Sequence, residues 1–572
     1  MEFSSAVDQV IQRNLSKLQK PGVLFMRPGY KSRRGRLTQQ PAIVVTVAKK
    51  RKGIPAKDRI PPKVGGYVTD VRQASPMHLL RASNPDLYAE VAAHAPPELQ
   101  RPVFLYERDA TGQLVAPELA EAAIQRIEAL NPKLNAVVEK SYDLARAAAA
   151  KRNTTAAFAG VPFLAKDMNI DVAGLHLTAS CRWLAELPPA TVDAPLAARW
   201  RAAGLSILGR TNTPEFAGEF VTEPTWRGAT RNPWDLNRSP GGSSGGAAAA
   251  VASGMVPMAH GTDSGGSIRV PAAACGLVGL KPSRGWVPVG PHLDELAGGL
   301  DCEHVLTRTV RDSALMLDLT AGPEPLSRQP LGLPPGGFAA ALTTHVGPLR
   351  VGVTLAAPGG MRPQAEIGAA VERVATLLAR SGHRIEEFTF PDSAAVGDPA
   401  LVIWLTAIAE EIDFYRGRVG RAPERHELDA LTWAAIDMGN TRSALDYARA
   451  RRALTAATAG MAGVFNRFDV LLLPTAADFT PPIGQIDGRT AAFNLDRWNA
   501  ESYGYAPYTE IFNITGQPAM SLPLAMSSLG LPIGVQIAAP LGHDARLISL
   551  AAWLERELPW AEPLAQLRQR IL

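Results

Sequence analysis

The chain has 572 residues, of which 46% are hydrophobic and 20% are charged, a balance typical of a soluble globular protein with a sizeable core. Three cysteines without CxxC spacing argue against a disulfide framework and a zinc site, and the ten histidines show no HExxH pattern. The formal net charge is +5, so strongly acidic or strongly basic classes are excluded for the chain as a whole. We expect no metal and no cofactor.

The positive charge is concentrated at the N-terminal end. Residues 1–81 contain 17 Lys and Arg and 4 Asp and Glu, which gives 17 − 4 = +13 and leaves 5 − 13 = −8 for the remainder. The simplest interpretation is a solvated basic face. Docking on an acidic surface is the alternative, whether on the rest of the protein, on another subunit or on a polyanion. No zinc finger, helix-turn-helix or RNP-like block accompanies the charge, so nucleic-acid binding is not predicted.

The first 20 residues predict an amphipathic helix rather than a secretory signal. No stretch approaches the ~20 consecutive apolar residues of a membrane span. The sequence therefore predicts a cytoplasmic protein without a membrane span.

Residues 1–75 predict a small α/β unit, in which the β-branched run at residues 42–47 has the composition of a strand. Five prolines within residues 76–115 predict a linker or a wrapping segment. We therefore expect an accessory domain with its linker at residues 1–95 and a second domain at residues 96–572.

Helices and strands are predicted to alternate along the second domain. A helix is expected from about Pro117 to just before Pro132, and a strand over residues 158–164 presents Lys166. Further helices are predicted at 141–151, 193–203 and 364–381 and across 398–467, and further strands at 205–208, 349–354, 384–390 and 469–473. This alternation predicts an α/β fold with a central sheet sandwiched by helices.

Two glycine-serine clusters, at residues 241–246 and 265–267, flank a segment of small residues. Glycine permits close backbone approach, and converging N–H groups stabilise a developing negative charge, so the clusters predict an oxyanion site. Lys166 follows an apolar run, where desolvation would lower its pKa and make it a base. A lysine with two serines forms a nucleophile-and-base system that needs no histidine.

Six blocks of the second domain carry a family resemblance. They are GVPFLAKD, GRTNTPEF, TRNPWD, SPGGSSGG, GTDSGGSIR and CGLVGLKPS. In identity and order they resemble the amidase signature family of Ser-Ser-Lys hydrolases, from about Leu119 to the C-terminus. The resemblance implies a central mixed β-sheet between helices, and the first 95 or so residues have no family counterpart.

The resemblance assigns three catalytic roles. Ser267 would be the nucleophile, Ser243 the serine that relays the proton, and Lys166 the base. It also implies a cis peptide bond before Ser243. The alternatives are a turn serine at position 267, a lysine with the ordinary pKa of ~10.4 at position 166, and a helix cap at Ser243, a role that would also suit Ser244.

The same resemblance implies that backbone N–H groups of Ser264, Gly265 and Gly266, together with that of Ser267, form the oxyanion hole. Asp263 and Arg269 would brace this loop. Asp167 adjoins the proposed base, but neighbouring side chains on a strand point to opposite faces, so we interpret Asp167 as structural.

The predicted activity is hydrolysis of a carboxylic amide C–N bond through a Ser acyl-enzyme, with a small or medium amide as the substrate. Carbamate or ester hydrolysis with the same triad, an amidotransferase subunit for tRNA-dependent amidation, and a binding protein tethered by its basic N-terminal domain remain open alternatives, as does a homo-oligomer. The aromatic residues suggested for the pocket are Phe216, Trp226, Tyr503, Tyr505, Tyr508 and Phe512.

Overall fold

The structure is a computed structural model. It describes the backbone of four strands between residues 23 and 73 and then residues 116–150, 156–291, 294–324, 333–334, 336–490 and 492–571. Contacts divide the chain into two units, Met1–Pro96 and Pro97–Leu572. The predicted N-terminal helix and the predicted linker at residues 76–115 lie outside the described residues.

The first unit contains a four-stranded sheet in the order β1-β2-β4-β3. Its strands are β1 (Val23–Arg33), β2 (Arg36–Val47), β3 (Lys63–Val64) and β4 (Tyr67–Gln73). Strand β2 pairs antiparallel with β1 and parallel with β4. The strand predicted at residues 42–47 is the second half of β2.

The second unit is built on an eleven-stranded mixed sheet in the order β12-β11-β13-β15-β14-β9-β10-β8-β6-β7-β5. The strands are β5 (Val137–Lys140), β6 (Pro162–Lys166), β7 (Ser206–Thr211), β8 (Met258–Thr262), β9 (Val278–Lys281), β10 (Glu303–Thr307), β11 (Arg350–Val353), β12 (Arg384–Glu387), β13 (Val470–Pro474), β14 (Ala519–Met526) and β15 (Pro532–Ala538).

Helices flank this sheet, which confirms the predicted α/β architecture. They are α1 (Ala116–Leu134), α2 (Tyr142–Ala150), α3 (Pro195–Ala202), α4 (Gly245–Ala252), α5 (Arg269–Cys275), α6 (Val310–Thr320), α7 (Ala365–Arg380), α8 (Gly397–Val419), α9 (Ala430–Asn440), α10 (Ala444–Arg467), α11 (Leu495–Tyr505), α12 (Glu510–Thr515), α13 (Asp544–Glu557) and α14 (Ala561–Ile571). The largest hydrophobic core joins sheet residues such as Phe163 and Val535 to helix residues such as Ile127 and Val371.

Two predicted element boundaries were wrong. Helix α1 continues through Pro132, because the Asn131 side chain accepts hydrogen bonds from the backbone N–H groups of Ala136 and Val137, both at 2.8 Å, and holds the chain as it leaves the helix. The strand predicted at 158–164 begins only at Pro162, since a turn with Gly160 at φ 75° precedes it. Lys166 is consequently the last residue of β6 rather than a residue beyond the strand.

Helix α4 explains why the segment after the first glycine cluster consists of small residues. All eight of its residues are buried. A Cβ atom at Gly246 would lie 2.5 Å from the backbone nitrogen of Asn212 and 2.7 Å from the carbonyl oxygen of Ala136. Because both neighbours are backbone atoms, the helix can approach the sheet this closely only with glycine at this position.

Helix α8 lies within the segment Asp392–Val419, which passes a length and hydropathy test for a membrane-crossing helix among the described residues. The expectation that no stretch is long and apolar enough to cross a membrane was therefore wrong. A single such helix is weak evidence for a membrane span. Its buried residues Ile403, Leu405 and Ile408 belong to hydrophobic cores of the second unit, which accounts for its apolar composition.

The close packing of α4 against the backbone of Asn212 and Ala136 leads to a prediction about stability. We expect Gly246→Ala to lower the free energy of unfolding by ~1–3 kcal/mol through overpacking, measured by denaturant unfolding. Gly463→Ala is the matched control, because Gly463 lies in α10 with no atom within 4 Å of the added Cβ. That substitution should stabilise the protein by up to ~1 kcal/mol through helix propensity. Equal stability of the two variants would contradict the packing account.

Candidate active site

Lys166 lies at the carboxyl end of β6, between β7 and β8, and is fully buried. Its Nζ is 2.7 Å from Ser243 Oγ and donates a hydrogen bond to Thr262 Oγ1, also at 2.7 Å. Thr262 was not predicted as a site residue. Strand β8 runs parallel to β6, so the last residues of the two strands meet at one sheet edge, a long-range pairing that neither strand's sequence encodes alone.

The environment of Lys166 weakens its affinity for a proton. Burial lowers the pKa of the amine from 10.5 to about 8, against the opposing influence of the carboxyl groups of Asp301, Glu303 and Asp263. Half of the amine is therefore neutral near pH 8, and a neutral amine has a lone pair that accepts a proton. The neighbouring Asp167 does not contact this amine, because its carboxylate accepts hydrogen bonds from the backbone N–H groups of Thr178 and Ser180.

Ser243 follows a cis peptide bond, Gly242-Ser243, the geometry that the family resemblance implied. Its hydroxyl faces Lys166 and does not cap helix α4. Ser244 occupies the N-cap position of α4, but its hydroxyl instead bonds the backbone N–H and carbonyl of Thr262, both at 3.2 Å. The capping interpretation was therefore wrong for both serines.

Ser267 lies beside this pair. Its carbonyl oxygen accepts a hydrogen bond from the backbone N–H of Ser244 at 3.2 Å, which joins the two glycine-serine clusters. The residue is 6% exposed and lines a small hollow of about 60 Å³ together with Ser264 and Gly265. The structure thus brings all three predicted catalytic residues into one region, while their catalytic roles remain predictions.

The loop of residues 264–267 is held by its carbonyl groups. Gly265 accepts a hydrogen bond from the Thr509 hydroxyl at 2.6 Å, and Gly266 accepts one from the backbone N–H of Val270 at 2.7 Å. In a trans peptide the next N–H points away from the carbonyl, so the N–H groups of Gly266 and Ser267 face the opposite side of the loop. Gly266 has φ 146°, and a Cβ there would lie 2.3 Å from Thr509 Oγ1.

Asp263 and Arg269 enclose this loop as a buried ion pair. Arg269 donates from Nη2 to Asp263 Oδ1 at 2.8 Å and from Nε to Oδ2 at 3.0 Å, and both side chains are fully buried. Nη1 of Arg269 also donates to the Thr509 carbonyl and to Gln536 Oε1, both at 2.8 Å. Burial raises the pKa of Asp263, but the guanidinium of Arg269 outweighs it and holds the pKa below the ordinary value.

A second group of buried polar side chains lies behind Lys166 and was not predicted. His260 Nδ1 accepts a hydrogen bond from the Lys166 backbone N–H at 3.2 Å, so its Nε2–H donates to Glu303 Oε2 at 2.6 Å. Asn169 donates to Asp301 Oδ2 at 2.7 Å and to Glu303 Oε1 at 2.9 Å. Burial raises the pKa of both carboxyl groups to about 7.

The sequence contained a signal for this group. Glu303 is the first residue of the buried strand β10, and Asp301 lies two residues before it, so two carboxyl groups precede an apolar run. Burial lowers the pKa of His260 well below its ordinary value, so this histidine is neutral near pH 7 and serves as a hydrogen-bonding spacer.

A larger cavity of about 550 Å³ adjoins the loop, lined by Thr262 and Ser264 on one side and by helix α8 on another. Of the six aromatic residues suggested for the pocket, Phe216 lines this cavity and Tyr503 lines the hollow beside Ser267. The other four do not line these two cavities. Trp226 stacks on the Arg227 guanidinium, and the remaining three are buried in hydrophobic clusters: Tyr505, Tyr508 and Phe512.

Comparisons with known proteins identify the family of this chain. The sequence profile of the amidase family matches residues 118–548. The 6-aminohexanoate-cyclic-dimer hydrolase of Paenarthrobacter ureafaciens is 37% identical over 508 residues, which covers 85% of this chain and 98% of that protein. The putative amidase AmiC of Mycobacterium bovis is 37% identical over 466 residues, which covers 80% of this chain and 94% of that protein.

Solved structures of related proteins also superpose on most of this chain. A 6-aminohexanoate cyclic dimer hydrolase superposes with a TM-score of 0.76 at 36% identity, over 82% of this chain and 98% of that one. A bacterial aryl acylamidase superposes with a TM-score of 0.75 at 30% identity, over 83% and 99% of the two chains. A glutamyl-tRNA(Gln) amidotransferase subunit of Thermotoga maritima, at 24% identity over 82% of this chain and 97% of that one, has a TM-score of 0.65 and shows a shared fold alone.

The chain belongs to the amidase signature family, as the profile match and the long alignments show. It is an enzyme of the hydrolase class that acts on amide C–N bonds.

The buried ion pair between Asp263 and Arg269 leads to a second prediction about stability. We expect Arg269→Ala to lower the free energy of unfolding by ~3–5 kcal/mol, because it leaves the Asp263 charge buried without its partner. Arg384→Ala is the control, since the Arg384 side chain is 75% exposed and pairs with Glu386 at the surface. Denaturant unfolding of both variants measures the difference. A loss for Arg269→Ala no larger than that for Arg384→Ala would contradict the bracing role.

Proposed function

We propose that this chain hydrolyses small or medium carboxylic amides through an acyl-enzyme on Ser267, with Ser243 as the proton relay and Lys166 as the base. The observation that carries the proposal is the buried Lys166 amine, which lies 2.7 Å from the Ser243 hydroxyl oxygen and has its pKa lowered to about 8. A serine hydroxyl is a weak nucleophile, and the neutral Lys166 amine would supply the base that Ser267 needs through the Ser243 hydroxyl.

In the first half-reaction the Ser267 oxygen attacks the amide carbonyl carbon. Its proton passes to Ser243, while the Ser243 proton passes to the neutral Lys166 amine. The carbonyl oxygen becomes an oxyanion, which the backbone N–H groups of the 264–267 loop would stabilise. Such fixed donors need no reorganisation during the reaction, and each is worth ~3–4 kcal/mol in comparable sites.

Collapse of the tetrahedral intermediate breaks the C–N bond. Because an amide nitrogen is a poor leaving group unless it is protonated, Ser243 donates its proton to the departing amine and regains one from Lys166. Water then enters and attacks the Ser267 ester, while it gives a proton to Ser243 and Ser243 gives its own to Lys166. The bond between the acyl carbon and Ser267 Oγ breaks, and Ser267 Oγ takes a proton from Ser243, which regains one from Lys166. The products are a carboxylic acid and an amine or ammonia, and the enzyme returns to its starting state.

The relatives indicate the substrate range for this proposal. They include a hydrolase of a cyclic amide dimer and an aryl acylamidase, so we propose linear, cyclic and anilide amides as the substrates of this chain. The cavity of about 550 Å³ beside Ser264 is large enough for substrates of this size.

Removal of the nucleophile gives the first functional prediction. We expect Ser267→Ala to lower kcat on an anilide substrate by ~10³-fold or more, because attack by Ser267 is the step that forms the intermediate. Intact-protein mass spectrometry after rapid quenching should detect the acyl adduct on the wild type and not on this variant. Ser528→Ala, at an exposed serine bonded to Glu366, is the control and should keep full turnover. An acyl adduct on Ser267→Ala, or undiminished turnover, would overturn the proposal.

The lowered pKa of Lys166 gives a pH prediction. The neutral amine is the active form, so kcat/KM should rise with pH and level off above an apparent pKa of about 8. Below that value the amine is protonated and cannot accept the serine proton. Steady-state kinetics across this range provide the measurement, and a kcat/KM that stays constant or falls through pH 8 would contradict the assigned base.

A further inference from the structure

The large cavity is formed by two parts of the chain with different chemistry. Thr262 and Ser264, which belong to the candidate catalytic region, line one side. Helix α8 lines another side. A substrate whose carbonyl lies at the 264–267 loop would therefore extend toward α8.

The cavity wall is acidic. Among the described residues that line it, none is a lysine or an arginine, and five carry carboxyl groups: Asp294, Glu295, Asp301, Glu410 and Glu411. Glu295 has Arg451 within 4.0 Å, and Asp301 is bonded to Asn169. The acidic character thus remains greatest at α8, where Glu410 and Glu411 lie.

Glu411 lies on the cavity wall, half-buried, and its carboxyl group has no partner among the described residues there. It forms no hydrogen bond or ion pair with the residues that the structure describes. Burial raises its pKa to about 8, and the neighbouring carboxyl groups of Glu410 and Asp301 act in the same direction. A positive group bound beside Glu411 would offset both the loss of hydration and the repulsion from the neighbouring carboxyl groups.

Tyr415 is a second, independent sign of a missing ligand. It lines the same cavity one helical turn beyond Glu411 and is 7% exposed. Its hydroxyl forms no hydrogen bond with any residue in the described part of the chain. The Tyr415 hydroxyl oxygen can accept a hydrogen bond, so a donor placed between Tyr415 and Glu411 would pair with both side chains.

An organic cation fits these observations better than a metal ion. Within the described residues, no group of three His, Cys, Asp or Glu side chains is arranged to hold a metal. A primary ammonium group has three N–H donors and one charge, which match two carboxyl groups and a hydroxyl. The cavity volume also leaves room for the chain that links such a group to the amide.

We propose that the cavity beside α8 binds a primary ammonium group carried by the substrate, with Glu411 and Tyr415 as its recognition residues, so that the preferred substrates are amides with an amino-terminated chain. This inference rests on the proposed amide hydrolysis at Ser267. It adds the chemical class of the substrate, which the catalytic residues alone do not determine.

The test uses p-nitroanilides whose acyl chains have equal length and end in an ammonium, a methyl or a carboxylate group. We expect the wild type to have the highest kcat/KM for the ammonium series. Glu411→Gln should lower the ratio of kcat/KM between the ammonium and methyl substrates about tenfold, mainly through KM. Asp413→Asn, at an exposed residue of the same helix that pairs with Arg416, is the control and should keep the ratio.

A wild type that prefers the methyl or carboxylate series would overturn the inference, as would an unchanged ratio in Glu411→Gln. A measurement on the wild type alone covers the case in which that variant does not fold. Alkylammonium ions should inhibit hydrolysis of the methyl substrate competitively and more strongly than alkanols of the same length, and equal inhibition would contradict the inference. Hydrolysis of the methyl substrate that depends on Ser267, without any ammonium preference, would reject this inference and leave the proposed function intact. Absence of hydrolysis of the whole series would reject both.

Discussion

The burial of the Lys166 amine against two hydroxyl groups is the constraint on which the rest of the site depends. An ammonium group at this buried position has lost its hydration shell, and the hydroxyl oxygens of Ser243 and Thr262 each lie 2.7 Å from the nitrogen. The carboxyl groups of Asp301 and Glu303 favour the charged form, yet burial prevails and the pKa falls to about 8. This balance gives an amine that is neutral at moderately alkaline pH, as the proposed role of Lys166 as a base requires.

The loop beside this base is held by charge rather than by apolar packing. Asp263 accepts hydrogen bonds from the backbone N–H groups of Ile268 and Arg269, at 3.1 and 3.3 Å, as well as from the Arg269 side chain. Both ends of the short loop are therefore attached to a single carboxylate. A loop fixed in this way keeps its N–H groups in place before a substrate arrives, which is what electrostatic stabilisation of an oxyanion requires.

Much of the second unit could be predicted from the sequence because each of its motifs is a short, continuous run of residues. The alternation of apolar strands and helices predicted the α/β architecture, and the glycine-serine clusters together with Lys166 predicted the residues that the structure brings together. Long-range contacts could not be predicted in this way. Thr262, His260 and Glu303 join the site through the pairing of β8 with β6 and β10, which no single block encodes. Tyr508 and Phe512 could not be assigned from the sequence either, because their packing in the core depends on long-range contacts.

Helix α8 combines an apolar core face with carboxyl groups on the cavity wall, so one element contributes both to stability and to the large cavity. The claim on which the whole account depends concerns the protonation state of Lys166. It is tested most directly by ¹⁵N NMR of protein labelled at lysine Nζ, with the Lys166 signal assigned by its loss in Lys166→Met. The account predicts a titration of that signal with a midpoint near pH 8. A signal that remains that of a charged ammonium up to the ordinary lysine pKa of ~10.4 would contradict it.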